Sequence, residues 1–379
     1  MKPKGSGIKK AAEPEVKTGF SPTGGIAVDA GGNIYTVSVL GGFVASVSSK
    51  EGAISSAESA VVKKASATLD TPMGVAVGPD TGNVYVTDFG TSKLVKYDKD
   101  LNKLGEWTVS GTMPSAVALD HKPANPEGRR EHPYVVTAPK SVKAALEGKF
   151  GQKIEKIQWD VADGGGFVDF FDVEELKTAL GGAAGDIFSI YDIAFDSLNK
   201  LHALVGGSRN FVVRIGVGGV ESGVYSSWSA SPMSLAFNAS DDVVLSDLVK
   251  NRVLRYPSDK IVWGAPTLSG DFDSASTLIV PESNIGGSAV SPDVVVQNIS
   301  LPIAVSMPNG NVAVSEVGSG KVVVVNPVSP DVRLLEKVID GASPSPTPTP
   351  SSSGGGGCVL GDFSLASLLL LVPLISLRR

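Results

Sequence analysis

Short runs of apolar and β-branched residues recur along the chain between turn signals, in the same order each time. The clearest copy is Pro72–Asp98, PMGVAVGPDTGNVYVTDFGTSKLVKYD. Gly74–Val77 is apolar and small-sided, which suits the innermost strand of a crowded ring. Pro79–Asn83 is turn chemistry. Val84–Thr87 is β-branched and aromatic and predicts a strand. Leu94–Tyr97 alternates apolar and polar positions, as an outer strand does. Leu104–Val109 supplies a fourth strand.

Related segments begin at Pro22, Pro114, Ile190, Pro232 and Pro302. The residues aligned with Ala76 are Ala27, Ala118, Ala194, Ala236 and Ser306, at successive spacings of 49, 42, 76, 42 and 70. A four-stranded propeller blade takes roughly 40–50 residues, so three spacings are blade-sized and two hold extra chain. The Pro-x-Gly-Val-Ala-Val…Gly-Asn-Val-Tyr-Val-Thr-Asp…Lys-Leu-Val pattern resembles the NHL repeat. Gly78 stands where that repeat usually has Asp, and the copies at 114 and 190 are degenerate. The resemblance spans residues 20–341. It implies an all-β fold, a six-bladed β-propeller, with seven blades if a long spacing hides another. A β-sandwich with coincidental turns is the rival.

The extra length is assigned to two inserts. Aligning Tyr134–Thr137 as a second strand and Gly166–Asp172 as a third leaves an insert near 138–165, with one or two helical turns at 140–149. Taking Lys260–Trp263 as a fourth strand leaves another near 266–300. In an alternating meander both would leave from one face. Loops on a rigid scaffold carry binding function, so that face is expected to be the functional one. Asp172–Glu175 fits a helix N-cap before Leu176–Leu180, or an outer strand and turn.

Composition changes the picture at the ends. There are 39 acidic and 33 basic residues and a formal charge of −6. That argues against nucleic acid as a partner, which needs a basic footprint. A single Cys excludes an intrachain disulfide framework. Residues 342–357, ASPSPTPTPSSSGGGG, read as a linker: an extended stretch and then a flexible one. From 358 follow Cys358, a mostly apolar run at 359–377, near the lower length for a membrane helix, and Arg378-Arg379, which favour a cytoplasmic end. Gly356, Gly357, Cys358 and the Arg pair together resemble the Gly-Gly-Gly-Cys (Synerg-CTERM) class of bacterial surface-sorting signals. That implies an exported, membrane-anchored protein at the cell surface or outer envelope and a sorting protease as partner. The N-terminal segment 1–19 has basic residues but no apolar core of a secretory signal. The natural start is therefore expected upstream of Met1, or the chain is a fragment. Residues 12–17 are a candidate closing strand beside 332–338.

Candidate chemistry is sparse. The residues aligned at the ends of second strands are Ser38, Asp88, Ala138, Val205, Asp247 and Glu316. Three carboxylates converging on a channel mouth could hold Ca²⁺, which takes oxygen ligands. The metal-dependent lactonases of the SMP-30-like propeller class hold a divalent ion in this manner, but their channel Asn and base have no motif here. Each acid also precedes a base at the start of a third strand: Lys93, Arg252 and Lys321. These pairs favour a structural reading, as blade-linking ion pairs and hydrogen bonds, over a metal site; as a candidate binding surface they would lie at the channel mouth. His121, His132 and His202 do not cluster by alignment. No nucleophile elbow, phosphate loop, HExxH or CxxC is present. No cofactor is expected, Ca²⁺ apart. The expected function is recognition of a protein, peptide or glycan by a displayed propeller, with a metal-dependent hydrolase as the alternative.

Overall fold

The computed structural model describes residues 23–49, 60–65, 69–110, 113–120, 131–138, 152–158, 166–180, 187–207, 210–216, 219–225, 232–248, 251–261, 293–296, 301–306, 310–317, 319–326 and 329–339. These form an all-β propeller with one short α-helix. The strands group, in chain order, into six four-stranded antiparallel sheets. The first holds β1 (Thr23–Val28), β2 (Ile34–Ser38), β3 (Phe43–Ser49) and β4 (Ala60–Lys64). The second holds β5 (Pro72–Val77), β6 (Val84–Asp88), β7 (Lys93–Tyr97) and β8 (Lys103–Thr108). The third holds β9 (Met113–Leu119), β10 (Pro133–Ala138), β11 (Lys153–Gln158) and β12 (Gly166–Asp172), followed by helix α1 (Val173–Leu180). The fourth holds β13 (Ile187–Phe195), β14 (Leu201–Gly207), β15 (Asn210–Gly216) and β16 (Gly219–Tyr225). The fifth holds β17 (Pro232–Phe237), β18 (Val243–Asp247), β19 (Arg252–Tyr256) and β20 (Asp293–Val296). The sixth holds β21 (Pro302–Ser306), β22 (Val312–Glu316), β23 (Lys321–Asn326) and β24 (Ser329–Val338).

The first strand of each sheet packs on the first strand of the next, and β21 returns to β1. The core lies between sheets. Second strands are buried throughout in the first, second, fifth and sixth sheets. This is why their sequences are continuous β-branched runs rather than alternating ones. Third strands β7 and β19 show two buried positions between partly exposed ones, matching the alternation in their sequences. One apolar cluster joins Leu94 and Tyr85 of the second sheet to Val117, Val135 and Ile157 of the third.

The repeat alignment is visible in the strand register. Ala27, Ala76, Ala118, Ala194, Ala236 and Ser306 pair with Tyr35, Tyr85, Tyr134, His202, Val244 and Ala313 respectively. Pairing of every first strand with its second is interrupted by a bulge. Bulges bend a strand and increase its twist, which suits six strands crowded around one axis. Small residues allow the approach. A Cβ on Gly74 would lie 2.8 Å from the Ser115 carbonyl oxygen of the neighbouring first strand.

Two sequence expectations require correction. Gly166–Asp172 is the fourth strand of the third sheet, not the third: Lys153–Gln158, inside the supposed insert, takes the third place. The fourth strand of the fifth sheet is Asp293–Val296, not Lys260–Trp263. Ser258–Lys260 is instead a 3-10 turn. The Ser258 backbone N–H donates to Asp242 at 2.8 Å and its hydroxyl to the Ser240 carbonyl at 2.7 Å. These bonds pin the chain leaving β19 to the β17–β18 hairpin of its own sheet.

The corrections separate the two inserts. Connections from first to second and from third to fourth strands open on one face, here the upper. The remaining connections open on the lower face. Residues 120–132 and 257–292 therefore connect strand ends on the upper face. Residues 139–152, and the connection 173–186 that contains α1, join strand ends on the lower. No single face collects both regions. The helical turns expected at 140–149, the strand at 12–17 and the apolar run at 359–377 lie outside the described residues. The sixth sheet takes its fourth strand from Ser329–Val338. Among the described residues no helix is long and apolar enough to cross a membrane.

Candidate functional site

The upper hairpins share one device. In the first sheet Asp29 accepts the Asn33 backbone N–H and side-chain amide, each at 2.8 Å. Asp196 accepts the Leu198 and Lys200 N–H groups at 3.0 and 2.8 Å. Asn238 does the same for Ser240 and Asp242. Asp196 and Asn238 thereby make Asx turns, and in all three a short polar side chain replaces water for turn N–H groups. The second sheet has Gly78 at this position. Its turn is served by Glu131, two residues before β10 of the third sheet. Glu131 accepts the Thr81 hydroxyl at 2.7 Å, the Thr81 N–H at 3.2 Å and the Tyr85 hydroxyl at 3.4 Å. A Cβ on Gly78 would come within 2.0 Å of the Glu131 carboxylate. The glycine is therefore the space that a neighbour's acid fills. Burial and Glu131 together push the Tyr85 phenol far up.

At the lower ends of the second strands stand Asp88, Asp247 and Glu316, all buried. Asp88 accepts the backbone N–H groups of Asp70 and Thr71 at 3.1 and 2.9 Å and the Thr91 hydroxyl at 2.8 Å. It thus clamps the chain entering β5 to the turn leaving β6. Asp247 pairs with Arg252 Nε at 3.2 Å. Glu316 accepts the Ser319 hydroxyl in the turn that follows. Asp88, Asp247 and Glu316 stand directly opposite Lys93, Arg252 and Lys321 in the strand register. Lys93 forms its ion pair with Glu106 instead. Among the described residues no three His, Cys, Asp or Glu side chains are arranged to hold a metal ion. Each of the three carboxylates has partners within its own sheet.

Thr137, not Ala138, occupies the Asp88 register position in the third sheet, since Thr137 pairs with Pro114 as Asp88 pairs with Pro72. The carboxylate comes from the neighbouring strand. Glu155 of β11 is 1% exposed and accepts the Thr137 hydroxyl at 3.5 Å. It also accepts the hydroxyl and N–H of Ser110 in the chain entering β9. Burial raises its pKa above the usual carboxylate range. A lone Glu between Ile154 and Ile157, in a KIEKIQ run, was the available signal.

His202 occupies the aromatic position of its sheet, as the alignment places it. It is fully buried, its ring 4.6 Å from that of Phe237, with Nδ1 3.0 Å from the Lys200 carbonyl and Arg214 donating to Nε2 at 3.3 Å. Burial, followed by the Arg214 charge, lowers its pKa to about 3. It is a neutral core imidazole at physiological pH. His132 lies beside Asp120, with Nδ1 at 3.3 Å. His121, Trp159, Trp228, Trp263, Gly356, Gly357, Cys358, Arg378 and Arg379 lie outside the described residues. Large exposed apolar side chains among the described residues are Leu40, Leu104, Val168 and Leu198, in four separate elements. Scattered apolar residues of this kind do not make a docking patch.

One residue that the sequence reading passed over is Asp192 of β13, the sole acidic or basic residue on the six first strands. Its carboxylate accepts the Leu235 N–H of the next sheet at 2.8 Å and the Ile193 N–H at 2.9 Å. Burial raises its pKa to about 7, against the opposing pull of the two N–H groups. An acid among Gly, Ala and Ser at equivalent positions was its signal.

No protein-family model matches the chain, and no curated protein matches it. Solved structures do. The PQQ domain of pyranose dehydrogenase from Coprinopsis cinerea is similar with a TM-score of 0.51 and 12% identity, over 82% of this chain and 94% of that one. A chain of a nidogen/laminin complex is similar at 0.49 and 14%, over 79% and 90%. XC5397, a gluconolactonase from Xanthomonas campestris, is similar at 0.47 and 11%, over 79% and 84%. At 12% identity the first of these likenesses supports the fold alone and says nothing about chemistry.

Proposed function

We propose that the chain is a surface-displayed six-bladed propeller that recognises a protein, peptide or glycan. The linker at 342–357 and the sorting signal from 358 would tether it to the membrane. One observation carries the choice over a metal-dependent hydrolase. Asp88, Asp247 and Glu316, the acids that would hold a divalent ion, each bond to groups of their own sheet. Moving them to a shared ion would release the N–H groups of Asp70 and Thr71 and the Arg252 guanidinium. Giving up such hydrogen bonds costs about 0.5–1.5 kcal/mol each.

Recognition is assigned to the upper face, where the connections 120–132 and 257–292 join the third and fifth sheets on either side of the fourth. Rigid propeller rims present such connections while the sheets stay fixed. The test is capture on glycan arrays and from envelope extracts by the full chain and by a variant with 263–290 replaced by a short turn. Loss of capture by a variant that melts normally supports the assignment. Undiminished capture contradicts it. Calcium-dependent lactone hydrolysis, abolished by Asp88→Ala, would install the hydrolase instead.

A further inference from the structure

At the upper end of the third sheet a histidine stands where the first two sheets have asparagine. Two residues before the aligned second-strand residues are Asn33, Asn83, His132, Lys200 and Asp242. In the first sheet this residue closes a pair with the acid across the hairpin. The Asn33 N–H donates to one Asp29 oxygen and its side-chain amide to the other, each at 2.8 Å. The third sheet repeats the pair with different chemistry. Asp120 stands where Asp29 does, and its Oδ1 accepts the His132 N–H at 2.9 Å. The imidazole takes the place of the amide, with Nδ1 3.3 Å from Oδ1 and 3.3 Å from Oδ2.

The exchange adds a reactive edge. Asp120 is fully buried, and its Oδ2 accepts no other hydrogen bond among the described residues. A carboxylate only accepts, so the proton of a neutral His132 belongs on Nδ1, facing it. Nε2 then carries a lone pair on the opposite edge of the ring. The His132 side chain is 15% exposed while Asp120 is 0%, so the exposed edge is the one turned from the carboxylate. Tyr134 follows two residues on, and alternate residues of a strand share a face. Burial first, and Asp120 second, raise its phenol, which stays a protonated donor.

We propose that Asp120 and His132 form a fixed-tautomer hydrogen-bond acceptor on the upper face, and that it takes a hydroxyl of a neutral glycan. The inference rests on the assignment of recognition to that face, and it names one ligand class and one contact. A sugar hydroxyl donates to Nε2 and can accept from the Tyr134 hydroxyl at the same time, whereas a peptide N–H only donates. The formal charge of −6 disfavours an anionic sugar. Asp120 is a positioning residue: it sets the tautomer and does not touch the ligand.

Two measurements on the full chain test this. The first is nitrogen NMR of the imidazoles in mildly alkaline buffer, with the His132 signal identified by its absence from His132→Asn. A proton on Nδ1 and a bare Nε2 support the dyad, and a proton on Nε2 overturns it. The second is capture on an array of neutral oligosaccharides. His132→Asn installs the residue that the first two sheets use here, so it should melt with the wild type yet bind about tenfold more weakly. Equal binding by His132→Asn, with capture lost when 263–290 is replaced, overturns the dyad and leaves recognition by the upper face standing. A wild type that captures no neutral glycan overturns the ligand class. If it also captures nothing from envelope extracts, the recognition reading falls with it. Should His132→Asn not fold, titration of the wild type with a captured oligosaccharide decides: the His132 Nε2 signal should shift, and an unmoved signal overturns the contact.

Discussion

The second and third sheets have the same four strands and pack against each other, yet their acids stand in different places. The second sheet keeps its lower clamp on the second strand, as Asp88, and has Gly78 where Asp29, Asp120, Asp196 and Asn238 stand in other sheets. The third sheet has Asp120 at its upper hairpin, which accepts the His132 N–H at 2.9 Å. It lacks a second-strand acid below and draws Glu155 from the third strand. The second sheet's upper turn is completed by Glu131 from its neighbour. In both sheets a carboxylate receives the N–H of the chain entering the first strand. Such a clamp is specified by the donors it must satisfy. A motif position is one way to supply it, and an adjacent strand is another.

The largest effect should come from Asp88→Ala, which removes a charged acceptor from two backbone N–H groups and a hydroxyl. We expect about 3 kcal/mol lost in urea denaturation. Thr137→Ala, at the same register position in the third sheet, should cost no more than about 1 kcal/mol. Equal losses would break the contrast between the two sheets.

Gly78→Asp should destabilise the wild type by about 2 kcal/mol, because the new side chain collides with Glu131. In a Glu131→Ala background the same substitution restores an Asx turn and should stabilise. The coupling in the double-mutant cycle should be about 2–3 kcal/mol, and additive effects would show that Glu131 does not replace the missing acid.

Glu155 sharpens the comparison through pH. Because burial raises its folded pKa, its contribution is complete below the unfolded value and is lost as the pH rises through the folded one. Wild-type stability, measured against Glu155→Gln, should therefore decline with rising pH in the weakly acidic range.

The smallest effect concerns the end of the third sheet. Asp172 accepts the Glu175 N–H at 2.7 Å, and Glu175 reaches back to the Asp172 N–H at 3.3 Å. This capping box starts α1 directly from the last residue of β12, so Asp172–Glu175 is the helix N-cap and not an outer strand and turn. Asp172→Ala should cost about 1 kcal/mol, read as lost helix protection in hydrogen exchange.

The repeat register was legible because its signals are local. A turn residue, a β-branched run and a small first strand sit at fixed offsets, and Ala27 through Ser306 fall in equivalent places. What failed was strand order where connections lengthen. Ile261-Val262-Trp263 has the composition of a strand, as does Val294-Val295-Val296, and only pairing with β19 separates them. Lys153–Gln158 was absorbed into an insert because Glu155 breaks the apolar pattern that marks Val95 and Leu254. The site was less legible for the same reason. Glu131 and Asp192 act across sheet boundaries, and a repeat alignment compares positions within sheets.

The central claim is that the second-strand acids hold the turns and strands of their own sheets and do not hold a metal ion. Thermal melting of the full chain in chelator and in millimolar Ca²⁺ addresses it directly. The account predicts one melting temperature in both, and an equal loss for Asp88→Ala with or without Ca²⁺. A melting temperature that falls in chelator, recovers with Ca²⁺, and loses that response in Asp88→Ala would contradict it.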